Sequence, residues 1–437
     1  MTDSIRGSVL PGYEPVRDVF QSFFDMGWDA GSGVSIYRKG APVVQLTGGR
    51  RITADGSVMA YDASTIQLVA STTKFVESVC IALLVDRGLI RYDDRIVEHW
   101  PAFAGDHAGK ERVTIRQLMM HRAGLPMFER KLADAEIFDL DARARFLEVQ
   151  PQVPDLFAAE PADGSWKSRR PAPPQAYHAV SRGLYSSELL RRVDPLHRRL
   201  GQFFRDEIAD PLGIDFWISL PDDAISRVSG TQPDPTAVTR LLSGDLESFK
   251  TTTDPRYALR DYEIAFLQQL FTAPTSIAAR AMNCLAPSGV SPMQLANHPK
   301  LRAAELASSS GFGNAESLAR VAALVGGGGT LGGSRIFSSD RAIREACEGA
   351  DSYAIDGLMG TPVAFTQGGF ARFENDDARH TVSFGWGGAG GQMVRFVPEL
   401  DLTIGYVTNS LGTRMAMNDP RGLGLLRAAV ECAEKGA

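Results

Sequence analysis

The chain has 437 residues, 44% of them apolar and 22% charged, with a formal net charge of -6. That length exceeds one ordinary hydrophobic core and calls for two domains or one domain with a large insertion, while the composition is that of a soluble globular protein. The negative balance gives no support for a nucleic-acid partner, and the arginine-rich piece RRVDPLHRRL at 191–200 reads as a solvated helix face.

The first twenty residues carry an early acid and no apolar run of signal-peptide length. No later stretch approaches the ~18 apolar residues that span a bilayer, so the expectation is a cytosolic protein with no membrane partner. Cys80, Cys284, Cys347 and Cys432 are far apart and never form C-x-x-C, so they read as core thiols, not as a zinc site or a disulfide framework.

In chain order, residues 16–27 have helical periodicity, and 33–49 reads as two strands joined by a turn at Lys39-Gly40. The stretch 68–88, LVASTTKFVESVCIALLVDRG, then places Val76, Val79, Cys80, Leu83 and Leu84 at helical spacing, which predicts a buried helix. After Gly88 the chain leaves for a helix-rich region. LMMHRAGLP at 118–126 predicts a short helix ending before a Gly-Leu-Pro turn, with His121 read as a structural residue at the helix end. The segment 150–176 is dense in Pro and Ala without a period and reads as a long surface loop, of the kind that often forms a lid or substrate wall.

From Tyr177 the pattern becomes helical, followed by a second amphipathic run, LGQFFRDEIADPLGI. Residues 219–260 read as loop-rich, and the sequence up to about 320 is only weakly periodic. A helix within 319–333 stops at a glycine run, which is no phosphate loop because no Gly-Lys-Ser/Thr follows. The last hundred residues return to strands, TVSFGWGG, GQMVRFV and LTIGYVTN, before a helix from about Leu423. Strands at both ends with helices between predict an α/β (α+β) fold, an antiparallel sheet built from 1–92 and 340–437 with 93–339 as a mainly helical insertion.

The stretch with chemistry in it is Ser71-Thr-Thr-Lys74, the chain's one S-x-x-K. Three residues apart on a helix, a hydroxyl and an ammonium stand on one face within reach of each other, and a helix start favours an alkoxide and later an oxyanion. The bland alternative, an N-cap serine beside a solvated lysine, is decided by what else the chain carries. GWGGAG at 385–390 fits G-x-G-x-x-G, yet the hairpin-like alternation after it lacks the helix that a dinucleotide site requires, and no G-x-S-x-G exists anywhere.

Three pieces occur in order: STTK at 71–74, YHAVSRG at 177–183 and GWGGAGG at 385–391. With LMMHRAGLP and the ending GWGGAGGQMVRFVPELDLTIGYVTNS, the chain resembles the serine β-lactamase and penicillin-binding-protein-like superfamily, and within it the class C-related, family VIII-type carboxylesterases. The resemblance spans about residues 20–430 and implies the β-lactamase/transpeptidase-like fold. It makes Ser71 the nucleophile, Lys74 its partner and Tyr177 the tyrosine of the Y-x-N element, with Tyr185 as a rival inside a helical run. Trp386-Gly387-Gly388 takes the place of K-T-G, and the Ala389 and Ser71 N–H groups would form the oxyanion hole.

Two departures bear on substrate. Ala179 stands where the family has Asn, and Trp386 where it has Lys, so a site with a methyl and an indole is expected to suit neutral, apolar esters. The reading is a cofactor-free, metal-free serine carboxylesterase that acts on a small, short-chain ester through an acyl-Ser71 intermediate. Acyl transfer to an alcohol, β-lactam hydrolysis and a non-catalytic scaffold on the same fold are the alternatives, and a homo-oligomer is left open.

Overall fold

The computed structural model describes residues 5–160, 163–168, 174–285, 297–298, 300–349, 353–374, 381–412, 414 and 416–436. Among them the main sheet runs, edge to edge, Arg6–Val9, Ala41–Ile52, Gly31–Arg38, Leu402–Thr408, Gln392–Val397, Val382–Gly388, Ala371–Glu374, Pro362–Phe365 and Ala354–Ile355, with Val58–Ala60 paired to Ala41–Ile52. Every pairing is antiparallel, and the two chain ends meet where Gly31–Arg38 pairs with Leu402–Thr408. The expected sheet from both ends is therefore the observed one.

The opening hairpin turns at Lys39 and Gly40, with φ of 50° and 74°, the left-handed pair that matches the twist of two-residue hairpins. Alternation then sends the strand residues to opposite layers. Val34, Ile36, Leu46 and Ile404 pack under the helices Glu14–Asp25 and Pro420–Glu434, through Val16, Phe20, Phe23, Leu425 and Val430. The other face belongs to the larger core, where the helix Ala315–Gly326 approaches so closely that a Cβ on Gly405 would meet the Ala315 carbonyl oxygen at 2.3 Å. That helix lies inside 93–339 yet packs on the sheet, so this segment is not wholly an insertion standing apart from it.

Helix Thr73–Asp86 is buried from Thr73 to Leu84 on every side, which is the behaviour of a helix threaded through a core. Each buried Val, Leu or Ile on it contributes roughly 1.5–3 kcal/mol.

Several local expectations change. Residues 191–193 end the helix Ser181–Val193 and 194–199 turn into the helix Leu200–Phe204, and Arg198 there is nearly buried against Asp194, Asp206 and Glu207. Residues 219–260 hold the helices Pro235–Ser243 and Ser248–Thr251, and Asp261–Thr272 follows. In the 150–176 loop, residues 161–162 and 169–173 lie outside the described ones, and the remainder is tied down. Glu160 is buried between Arg116 and Arg122, and Arg116 stacks 4.4 Å from the Trp166 ring centroid. Cys80, Cys284 and Cys432 are buried, Cys347 half-buried, and all four are free thiols.

Candidate active site

Strand Gln67–Ala70 delivers Ser71 through a strained turn. Ala70 is left-handed, at φ 46°, next to a register shift in the pairing with Gly311–Gly313. Thr73 Oγ1 locks the turn by donating to the Ala70 carbonyl at 2.6 Å and accepting the Gly311 N–H at 2.9 Å. Regular helix starts at Thr73, so Ser71 stands two residues ahead of it and not inside the first turn; its carbonyl accepts the Lys74 N–H at 3.0 Å.

The Ser71 hydroxyl accepts from the Tyr177 hydroxyl at 2.8 Å. Lys74 is not its hydrogen-bond partner. The lysine is fully buried and its Nζ donates to the carbonyls of Ala179, at 2.5 Å, and Ser308, at 3.0 Å, with the Tyr177 ring centroid 4.8 Å away. Two carbonyls satisfy the two N–H bonds of a neutral amine and leave the third N–H of an ammonium without an acceptor. Burial, and after it the Arg182 cation, hold Lys74 well below the ordinary lysine range, with Glu77 pulling the other way. Burial pushes Tyr177 up to about 12, opposed by the Ser71 hydrogen bond, Arg182 and the nearby Trp386 Nε1–H. Both shifts favour the uncharged forms, an amine and a phenol.

The third motif meets Ser71 through the main chain. A Cβ on Gly388 would lie 2.2 Å from the Val69 carbonyl oxygen and 2.8 Å from Thr72 Oγ1, so only glycine lets this strand end lie against the Ser71 turn. Among the described hydrogen bonds neither the Ser71 N–H nor the Ala389 N–H has a partner, which leaves two donors for an oxyanion. Beyond Ala389, the Gly390 carbonyl accepts from Gly412 N–H at 3.0 Å and from Arg421 Nη2 at 2.8 Å, which fixes the turn. Arg421 is buried with Asp29 and Asp419, each at 2.8 Å.

Trp386 departs from expectation. Its exposure is 0%, and its indole stacks on Phe365 (centroids 5.3 Å, interplanar 17°) and Tyr177 (6.2 Å, 29°) with Arg182 on the ring at 5.0 Å. The ring supports Tyr177 from behind and offers no open face for an ester. Gly387, on the same strand, is likewise buried. Ala179 is also buried, and what it presents is its carbonyl, to Lys74. Tyr185 sits in the core near Trp100 and Phe103, its hydroxyl on the Leu147 carbonyl at 3.3 Å, away from Ser71.

Tyr177 precedes its helix, which begins at Ser181, and two histidines fasten this non-helical run. His178 Nδ1 donates to the Ala176 carbonyl at 2.6 Å and its Nε2 accepts the Leu125 N–H at 3.1 Å. His121, left-handed at φ 60° just past its helix, accepts the His178 N–H on Nδ1 at 2.9 Å, which puts its proton on Nε2. The 3.4 Å approach of Arg182 Nη1 to that Nε2 is then a contact and not a hydrogen bond. Burial holds both rings neutral, His178 down to about 3.

Three residues at the site have no role in the sequence reading. Asp356 Oδ1 accepts the N–H groups of Tyr177, Leu358 and Met359 at 3.0, 3.0 and 2.9 Å, and burial raises its carboxyl to about 6. Arg182 and Glu77 form a fully buried ion pair at 3.1 Å. Glu77 extends the Ser71, Lys74 spacing by another three residues, and an acid inside so apolar a helix is a signal that sequence reading could have used.

A beta-lactamase family model matches residues 16–428. The esterase/beta-lactamase LipL of Mycobacterium tuberculosis (strain ATCC 25618 / H37Rv) is 28% identical over 421 residues, 95% of this chain and 85% of that protein. Among solved structures, a family VIII carboxylesterase superposes with a TM-score of 0.78 at 28% identity, over 98% of this chain and 100% of that one. A penicillin-binding-protein homologue from Caulobacter crescentus gives 0.74 at 28% identity, over the same shares.

Proposed function

The chain belongs to the beta-lactamase family and is a beta-lactamase-like hydrolase, and from that premise we propose that it is a serine carboxylesterase acting on neutral, short-chain esters. The observation that carries this reading is the 2.8 Å contact between the Ser71 and Tyr177 hydroxyls beside a buried Lys74 bonded as a neutral amine. As Ser71 Oγ attacks the ester carbonyl, its proton passes to the Tyr177 oxygen while the tyrosine's own proton passes to the Lys74 lone pair, and the same path returns a proton from Lys74 through Tyr177 to the departing alkoxide. Water then reverses the sequence, freeing the acid and restoring the Ser71 hydroxyl. The Ser71 and Ala389 N–H groups hold the negative oxygen in both steps.

The preference for a neutral substrate has a physical basis beside the names of the relatives. Two basic side chains of the site, Lys74 and Arg182, are fully buried and committed to protein acceptors, so neither is offered to a substrate carboxylate. β-Lactam hydrolysis is the second reading, because LipL carries both activities in its name. The test compares kcat/KM for p-nitrophenyl esters of graded chain length with that for a chromogenic cephalosporin. Esters should dominate, with an optimum at short acyl chains; a cephalosporin turned over as efficiently as the best ester overturns the assignment.

A further inference from the structure

Beneath Ser71 lies a charged pair that the acyl-transfer scheme does not use. Glu77 Oε1 accepts from Arg182 Nε at 3.1 Å and Ser186 Oγ at 2.7 Å, and its Oε2 accepts from Arg182 Nη2 at 3.1 Å and Ser308 Oγ at 2.8 Å. The remaining guanidinium donors reach the carbonyls of Lys74 at 3.0 Å, Met119 at 3.2 Å and Gly369 at 2.9 Å. Three segments distant from it in sequence, at 74–77, 119 and 369, are thereby tied to one planar cation. With its bidentate grip on Glu77 and the Trp386 indole on its face, that cation has no alternative pose. A buried pair of this kind is seldom more stabilising than an apolar pair of the same volume, so its place directly under the nucleophile calls for another account.

We propose that Arg182, anchored by Glu77, is a positioning residue for acyl transfer: a fixed cation bonded to the Lys74 carbonyl that adds to burial in disfavouring the ammonium form, so that the Lys74 lone pair is free for the proton that leaves Ser71 through Tyr177. The proposal rests on the Ser71–Lys74–Tyr177 assignment and adds what sets the lysine's state. The charged and titratable groups around Lys74 are Glu77 on its own helix, Arg182 on the helix that follows Tyr177, and Tyr177, His121 and His178. Burial keeps the two histidines and the phenol uncharged near neutral pH, so the permanent charges are Arg182 and Glu77. They act on the lysine in opposite directions, Arg182 lowering and Glu77 raising, with Arg182 the stronger.

Catalysis needs the neutral amine, so kcat/KM falls as pH drops through the lysine's pKa, and any change that raises this pKa carries the acid limb to higher pH. The experiment is the pH profile of kcat/KM for phenyl acetate on the parent, R182Q, E77Q, E77Q/R182Q and R182K. R182Q should move the acid limb up by about one pH unit, as expected for losing a nearby charge, and E77Q should move it down. The double variant should fall on the R182Q side, and R182K, which keeps the charge, should return towards the parent. If R182Q does not fold, the downward shift in E77Q and the parent-like limb of R182K carry the test. Lower rates with unmoved limbs, or both single variants shifting the same way, overturn the proposal and leave Arg182 a scaffold residue. Mass spectrometry of the parent after a fluorophosphonate separates the two layers. No adduct on Ser71 defeats the underlying assignment; an adduct with unmoved limbs defeats this proposal alone.

Discussion

Arg182 and Arg421 are both buried, both hold main-chain carbonyls and both sit one layer from the reacting atoms, yet their charge surroundings are opposite. Arg182 shares a single carboxylate, Glu77, with a second base, Lys74, which lies one turn away. Arg421 has two carboxylates, Asp29 and Asp419, and among the described residues no lysine pairs with either; Asp29 is further bonded by the hydroxyls of Tyr406 at 2.6 Å and Thr408 at 2.9 Å. Where two bases face one acid, the uncharged form of the lysine is favoured. Where acids outnumber bases, the arginine is held firmly charged, and its pKa lies well above even the ordinary arginine value. The same side chain therefore stands beside a second base in one place and, in the other, holds the Gly390 carbonyl of the turn that follows Ala389.

The comparison has its widest consequence if Ser71 is the nucleophile both clusters serve. Ser71→Ala should lower ester hydrolysis by ~10⁴-fold or more while leaving the thermal midpoint nearly unchanged. Activity within about tenfold of the parent would detach both arginines from catalysis. Next in size, Arg421→Met strands two buried carboxylates and should cost about 3–5 kcal/mol in denaturant unfolding. The surviving folded fraction should keep the parent's acid limb, which separates a brace from a charge regulator; a shifted limb would erase the distinction.

On the Arg182 side, Tyr177→Phe should lower kcat/KM by about 10²-fold or more, whereas Tyr185→Phe, which loses one weak bond to Leu147, should change it by less than about threefold and stability by about 1 kcal/mol. The reverse pattern would put the proton path elsewhere. The smallest effect concerns the main chain of Tyr177. Between the unfolded carboxyl value of 3.8 and the folded value of about 6, Asp356 binds a proton only in the native state, so its contribution to stability is present at low pH and is lost as pH rises through 6. Asp356→Asn should flatten the fall in melting temperature between about pH 4 and pH 6. An unchanged slope would mean that other groups set it.

What could be read from the sequence was what neighbours along the chain determine. The S-x-x-K spacing, the hairpin with Lys39-Gly40, the buried Thr73–Asp86 helix and the helix ending at a glycine run all depend on residues a few positions apart. Tyr177 was within reach through the order of three motifs. The orientation of Trp386 was not, because its burial is decided by Phe365 and Tyr177, which arrive from distant segments. Arg182 and Asp356 escaped for the same reason, their partners being Glu77, 105 residues away, and Tyr177, 179 residues away. The helices Pro235–Ser243 and Ser248–Thr251 were missed because they are short and lie in a stretch interrupted by Pro233, Pro235, Gly244 and Pro255.

The seam between Gly31–Arg38 and Leu402–Thr408 also governs when the protein can begin to work. On the ribosome the first strand is made early and waits, its edge unpaired, through more than three hundred residues of synthesis. Ser71 is already in the chain, but Gly388, the strand end that lies against its turn, follows more than three hundred residues later, so the proposed site cannot be complete before that strand is made. So non-local a closure makes folding slow, and it makes the late strands the step at which a newly made molecule either becomes a hydrolase or exposes an apolar sheet edge to its neighbours.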